Sequence, residues 1–343
     1  MQAWVNVQRM RSDLIAMLAL VLAASAVHAG GASFRVLSRT EASKTLTGVE
    51  AQGYYGQLQL ADVRAKTGLP LEGVTLEAAR SISSRAYGAA TGDFTDDKGA
   101  ALRDAVESMQ PLMAKRAPLY ARTPWCFIKV NATIEGGLPH TRGDCIVLAD
   151  SVVQSIAQAH AKTQFDKPSG IWDLLLHEQT HVVQRRNPAL FAALYTKVYG
   201  FRQVEVVPPE WLLVRRVVNP DAPLVEWIFA VGQGAAQHWL LPDLELAKLN
   251  HPRMPADFRA VALGMHVVDS HRWALDDAAT PAAQTDLDRV AEYVDAFPVK
   301  GEAFHPNEIA AEMLAEIIMG DKIQNPEHPL WATTRQCADK AVH

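Results

Sequence analysis

The chain has 343 residues, enough for one large domain or two modest ones, and its 49% hydrophobic and 21% charged residues are the proportions of an ordinary globular protein. A formal charge of -5 gives no reason to expect nucleic acid or an anionic membrane surface as a partner. The three cysteines do not form the close CxxC-type pairs of a structural zinc site.

Residues 1–29 read as a secretory leader. Arg9 and Arg11 make a positive start, Leu14 to Ala26 is a short uncharged apolar run, and Val27-His28-Ala29 offers a cleavage site after Ala29. That run is too short to cross about 30 Å of hydrocarbon, which takes roughly 20 residues. The expectation is therefore a bacterial protein exported to the periplasm or beyond, with no stable membrane anchor after cleavage. Residues 30–50, rich in Gly, Ser, Thr and Ala, read as a linker. Residues 51–95 mix short apolar runs with turn residues, so 30–95 form an N-terminal segment of no assigned role. The main domain is expected over 96–322, followed by a polar tail, 323–343, with an unpaired Cys337.

Within the main domain, Asp97 to Ala117 has a helical pattern that ends before Pro118. Two strand-like runs follow, WCFIKV from Trp125 and CIVLAD from Cys145, with a turn-rich segment between them. Adjacent strands would bring Cys126 and Cys145 within bonding distance, and closing a loop of that size stabilises by about 3 kcal/mol. Two buried free thiols are the alternative. The second run also reads as an edge on which an extended substrate could dock. Helices are expected over Ser151 to Lys162, and over Ile171 to Arg186 with Ser169 as N-cap and Asn187-Pro188 as the stop. Another runs from Ala189 to Tyr199 and ends at Gly200. Residues 205–250 hold prolines and strand-like runs. A last helix runs from Pro306 to Met319, with Gly320 just past its end. The fold class is α+β, helix-rich with a small sheet.

The chemistry concentrates in His177-Glu178-Gln179-Thr180-His181. On a helix, residues four apart lie one above the other, so two imidazoles at this spacing reach one cation. Glu178 sits beside the first of them, where a carboxylate can take a proton from an activated water. A third protein ligand is needed. The position six beyond His181 is Asn187, which argues against a third histidine there. Glu308, Glu312 and Glu316 instead form an i, i+4, i+8 acidic stripe on an otherwise apolar helix. Like charges at that spacing repel, and a cation nearby would reverse the penalty. Zn2+ held by His177, His181 and Glu308, with Glu312 behind a ligand histidine, would supply it; Glu316 reads as a solvated face. Gln184 shares the metal-facing side of its helix with His181, and either touches the site or is a polar residue of the helix surface. His305 precedes or caps the late helix, and Asn307 either caps it or faces substrate. Tyr199, Arg215, Arg216, His238, His266 and His271 are possible oxyanion donors, none singled out by spacing.

HEQTH followed by NEIAAE resembles the gluzincins, the thermolysin-like clan of zinc metallopeptidases. LLHEQTHVVQRRNPALF, VVNPDAP and FHPNEIAAEML also resemble a group of poorly characterised exported bacterial proteins with zincin-like motifs, over roughly residues 120 to 320. The resemblance implies a zincin-like catalytic domain. In it His177, His181 and Glu308 are ligands, Glu178 is the base, and Glu312 holds the acidic position behind the metal. Glu308 lies 131 residues beyond His177, farther than in thermolysin, and the acidic position holds Glu where Asp is commoner. The expected activity is hydrolysis of a peptide or protein substrate. Two alternatives are a zinc amidohydrolase of cell-envelope material and a non-catalytic exported protein with a vestigial zincin fold.

Overall fold

A computed structural model describes residues 32–163, 165, 169–222, 226–299, 303–320 and 327–340. The leader expected over residues 1–29 lies outside them. Among the described residues, no helix is long and apolar enough to cross a membrane.

Strand β1 (Phe34–Val36) leads into helices α1 (Arg39–Thr47), α2 (Val49–Tyr55), α3 (Leu60–Thr67) and α4 (Leu76–Ala90), then the two-residue strand β2 (Thr91–Gly92). From residue 32 on, the expected linker is thus structured. Ser38 and Glu41 form a reciprocal capping box at the start of α1, and Ala42 and Leu46, one turn apart, are fully buried. Helices α5 (Asp96–Arg116) and α6 (Pro118–Arg122) follow, then strands β3 (Trp125–Val130), β4 (His140–Arg142) and β5 (Cys145–Ala149).

Strands β1, β3 and β5 are parallel in the order β1-β3-β5-β4, with β4 antiparallel to β5 and β2 antiparallel to β3. Because β1 and β2 both pair with β3, the expected boundary at residue 95 cuts through one sheet. Alternation along β3 and β5 explains why their sequences are apolar almost throughout. Trp125, Phe127, Ile146 and Leu148 face one core, while Cys126, Ile128, Val130, Cys145 and Val147 face another packed by α1 to α4. Cys126 and Cys145 are bonded, which resolves the two alternatives for this pair. The second run is not an edge. Strand β5 lies between β3 and β4, all five of its residues are buried, and the edge is β4.

Helices α7 (Asp150–Ala161), α8 (Gly170–Arg186) and α9 (Pro188–Lys197) come next, with the expected stops at Asn187-Pro188 and before Gly200. Ser169 stands at the N-cap of α8 in extended conformation. The long stretch before the late helix is a second sheet, where a single small sheet was expected. Its strands are β6 (Arg202–Val207), β7 (Glu226–Val231), β8 (His238–Leu246), β9 (Phe258–Val267), β10 (Arg272–Leu275) and β11 (Thr285–Asp286), with the short α10 (Glu210–Arg215) after β6. Strand β10 pairs with both β6 and β9, so five strands close into a small barrel filled by Ile228, Leu241, Leu263, Trp273 and others. Trp227 and Val231 on β7 turn outward into the main core, flanking the inward Ile228. Closure brings the chain back through α11 (Ala291–Ala296) to α12 (Pro306–Met319), which packs along α8. Gly320, with φ of 68°, takes the left-handed position that ends α12. The expected polar tail contains α13 (Pro329–Lys340), whose Trp331 and Leu330 are buried in the main core. The side chain of Cys337 is outside the described set.

Candidate metal centre

Helix α8 is buried nearly all round in its second half, so its polar groups need partners. Gln179 donates to the carbonyls of Thr123 (3.3 Å) and Pro124 (3.2 Å), and Thr180 shares a 2.8 Å hydrogen bond with Tyr120. These contacts fix the rotation of α8 and aim His177 and His181 at α12. There the three expected ligands meet. Nε2 of His177 and Nε2 of His181 are 3.2 Å apart, and each is 3.3 Å from Oε2 of Glu308. His181 and Glu308 are each about 1% exposed. With His177 they form the one group of three metal-ligating side chains found within reach of a common ion among the described residues.

The donor set fits zinc in kind and in size. Two imidazoles and a carboxylate are a common zinc combination. Tetrahedral bonds of 2.0–2.1 Å give ligand-to-ligand edges of about 3.3 Å, and the three distances here match that edge.

Two of the three donors, His181 and Glu308, are oriented from behind. The Nδ1–H of His181 donates to Oε1 of Gln184 (2.8 Å), leaving Nε2 as the lone-pair nitrogen that faces Glu308. Gln184 in turn donates to the carbonyl of Asn307 (2.8 Å), tying α8 to α12. Gln184 therefore belongs to the site, and Asn307, itself buried, is part of its frame. The ring of His305 accepts from the Asn307 N–H at 3.2 Å and caps α12. Oε1 of Glu308 accepts from Asn219 Nδ2 at 2.6 Å. Glu312 lies on the expected side of His177, but its carboxylate is 3.8 Å from Nδ1, beyond direct hydrogen bonding. Glu316 is half-buried rather than on a solvated face.

Charge follows this geometry. Burial lowers the basicity of His177 and His181, but hydrogen bonds to Glu308 and its negative charge overcome this and lift both to about 9. Burial would raise Glu308, yet the two imidazoles hold its carboxyl well below the usual range. Burial pushes Glu312 up to about 7 and also raises Asp173, one turn before His177. A divalent cation within the triangle would take the place of the protons that the imidazoles otherwise attract.

A cleft of about 510 Å³ opens beside this triangle, lined by His177, Glu178, Asp173, Glu312, Asn219 and His140 among its polar residues. Leu174, Val217, Leu244, Met254, Phe258 and Phe304 supply an apolar wall, part of it from the β8–β9 hairpin of the barrel. Glu178, the residue after His177, is buried and reaches the cleft. None of Tyr199, Arg215, Arg216, His238, His266 and His271 lines the cleft. Arg216 is held instead by Glu226 (2.6 Å) and Asp243 (2.8 Å), and Tyr199 is buried in the main core.

Neither Asn219 nor His140 was singled out in the sequence, since Asn219 lies on a loop and His140 on the three-residue strand β4, where no periodicity marks them. Comparison with protein-family models, with curated proteins and with solved structures gives no match.

Proposed function

We propose that this protein is an exported zinc-dependent hydrolase of peptide bonds, with a zincin-like, gluzincin-type centre. His177, His181 and Glu308 would be the ligands and Glu178 the general base. The observation that carries this reading is the triangle of two Nε2 atoms and one Oε2, with edges of 3.2 to 3.3 Å, beside a cleft that Glu178 lines. A bound zinc ion supplies Lewis acidity, polarising a carbonyl and lowering the pKa of water toward about 7. The rest falls to the chain. Glu178 accepts the proton as water oxygen bonds to the carbonyl carbon, and returns it to the nitrogen as the C–N bond breaks. Gln184 keeps His181 in the tautomer that presents Nε2. The apolar wall excludes bulk water around the reacting bond. Glu312 neighbours His177 without holding it directly. The disulfide suits an oxidising compartment, in keeping with the periplasmic or secreted location read from residues 1–29.

One observation favours the second reading, an amidohydrolase of cell-envelope material. On edge strand β4 the Thr141 N–H already donates to Asp221 Oδ1 (2.6 Å), and the preceding Pro139 has no N–H. That edge offers an extended peptide little to pair with.

The test is hydrolysis of quenched fluorescent peptide libraries and of cell-wall muropeptides by zinc-loaded protein, alongside Glu178→Gln. The expected result is one zinc per chain in both proteins, with the rate reduced about 10²–10⁴-fold in the variant. Cleavage of muropeptides alone would favour the second reading. Wild-type protein that holds zinc but cleaves neither substrate, or a Glu178→Gln variant as active as wild type, would overturn the assignment.

A further inference from the structure

Helix α3 carries a charged pair that the chemistry above does not use. Asp62 and Lys66, one turn apart, are both fully buried. Their ammonium and carboxylate are 3.7 Å from each other, longer than a good ion pair, and each is turned toward the backbone of the same residue, Val218. Asp62 Oδ2 accepts the Val218 N–H at 3.2 Å, and Lys66 Nζ donates to the Val218 carbonyl at 2.5 Å. Lys66 also donates to Tyr54 OH (2.7 Å) and lies 3.3 Å from Glu135 Oε2. Glu135 is shared in turn by Arg142, at 3.2 Å. Two buried basic groups, Lys66 and Arg142, thus face two buried carboxyl groups, Asp62 and Glu135.

Burying four such groups is costly, and apolar residues of similar size would join α3 to the sheet at least as firmly. What apolar residues cannot do is satisfy both polar groups of one residue in a buried loop. The next residue is Asn219. Its Oδ1 accepts the Asp221 N–H at 2.8 Å, which fixes the amide so that Nδ2 points at Glu308 Oε1. Asp221 is itself anchored, since its Oδ1 accepts from both the N–H and the hydroxyl of Thr141, each at 2.6 Å. The loop is therefore gripped on one side by α3 and on the other by β4, with Asn219 between them.

We propose that the N-terminal helical layer is a working part of the metal centre, in which Asp62 and Lys66 are positioning residues that hold Val218 and, through Asn219, set Glu308 for coordination. This rests on the metal reading of His177, His181 and Glu308. It gives residues 30–95 a role and makes them inseparable from the site, unlike a propeptide that could be removed.

The test is zinc affinity, measured by competition with a chromophoric chelator, together with the visible spectrum of the cobalt-substituted protein. Four proteins are compared: wild type, Asp62→Asn/Lys66→Met, Asn219→Ala, and the combination of all three changes. The first two variants are each expected to lose about 10-fold or more in affinity, as supporting partners of ligands do. The combination should lose little beyond either, because both act through one relay. If the Asp62→Asn/Lys66→Met protein does not fold, the single variants decide. Asp62→Asn keeps an oxygen for the Val218 N–H and should bind zinc as wild type does, whereas Asp62→Ala should not. Folded variants with wild-type affinity and cobalt spectrum would overturn the proposal, as would losses that multiply in full. Wild-type protein that binds no zinc would overturn the metal reading instead, and is read from the same titration.

Discussion

Acid should expose a weakness at His140. This side chain is 2% exposed, with Nδ1 at 3.1 Å from the Leu138 carbonyl and no hydrogen-bond partner for the buried Nε2 among the described residues. Burial, helped by the nearby Arg142 charge, pushes the imidazole down to about 4, although Glu135 and Asp221 oppose the shift. In an unfolded chain it would titrate near its ordinary 6.5. Between those values the folded protein binds fewer protons than the unfolded one, so stability rises with pH across the window. The full contribution is present above 6.5 and is lost as the pH falls toward 4. A gap of about 2.5 units at 1.36 kcal/mol per unit corresponds to about 3 kcal/mol. Because the ring is fully buried, solvent screening does not reduce that figure much. Urea unfolding of metal-free wild type and His140→Phe, at pH 7 and at pH 4, reads the effect as a difference. The phenyl ring fills the same space without a site to protonate. Wild type should lose about 3 kcal/mol more than the variant across this interval. Parallel losses in the two proteins would refute the idea that His140 is buried in its neutral form.

Two further outcomes follow from contacts around the centre and the sheet. Gln184→Leu removes the acceptor that orients His181 and the link to Asn307, and should weaken zinc binding about 10- to 100-fold in chelator competition. The Cys126–Cys145 bond spans a sequence separation of 19. Loop-closure entropy then predicts that Cys126→Ala/Cys145→Ala loses about 3 kcal/mol in denaturant unfolding.

The site was more legible in the sequence than the architecture around it, for a physical reason. Helical spacing alone puts His177 over His181, and the acidic stripe containing Glu308 is conspicuous because, beyond Asn307, the rest of its helix is apolar. Cys126 and Cys145 were likewise readable, since each sits in a short apolar run of strand type. The partners behind the ligands were less legible: helical spacing puts Gln184 on the side of His181, but nothing local shows what it or Asn219 touches. Asn219 meets Glu308 across 89 residues and Gln184 meets Asn307 across 123, and only the tertiary fold makes those contacts. Residues 30–50 were misread because small and polar residues dominate them, while Leu37, Ala42 and Leu46, the positions that pack, are sparse. The barrel was hidden for a different reason. Its strands divide their faces between an inner core and the main core, as Trp227 and Ile228 do, so simple inside–outside alternation is blurred. Strand β4 is three residues long, too short for any periodicity, so the neighbouring β5 looked like the edge.

Zinc K-edge X-ray absorption on the zinc-loaded protein addresses the central claim most directly. The account predicts one tightly held ion per chain, with two imidazole nitrogens and a carboxylate oxygen at about 2.0–2.1 Å, and a changed coordination sphere in Glu308→Ala, which offers no oxygen in that place. A spectrum without paired imidazole scattering, or one unchanged by that substitution, would contradict it.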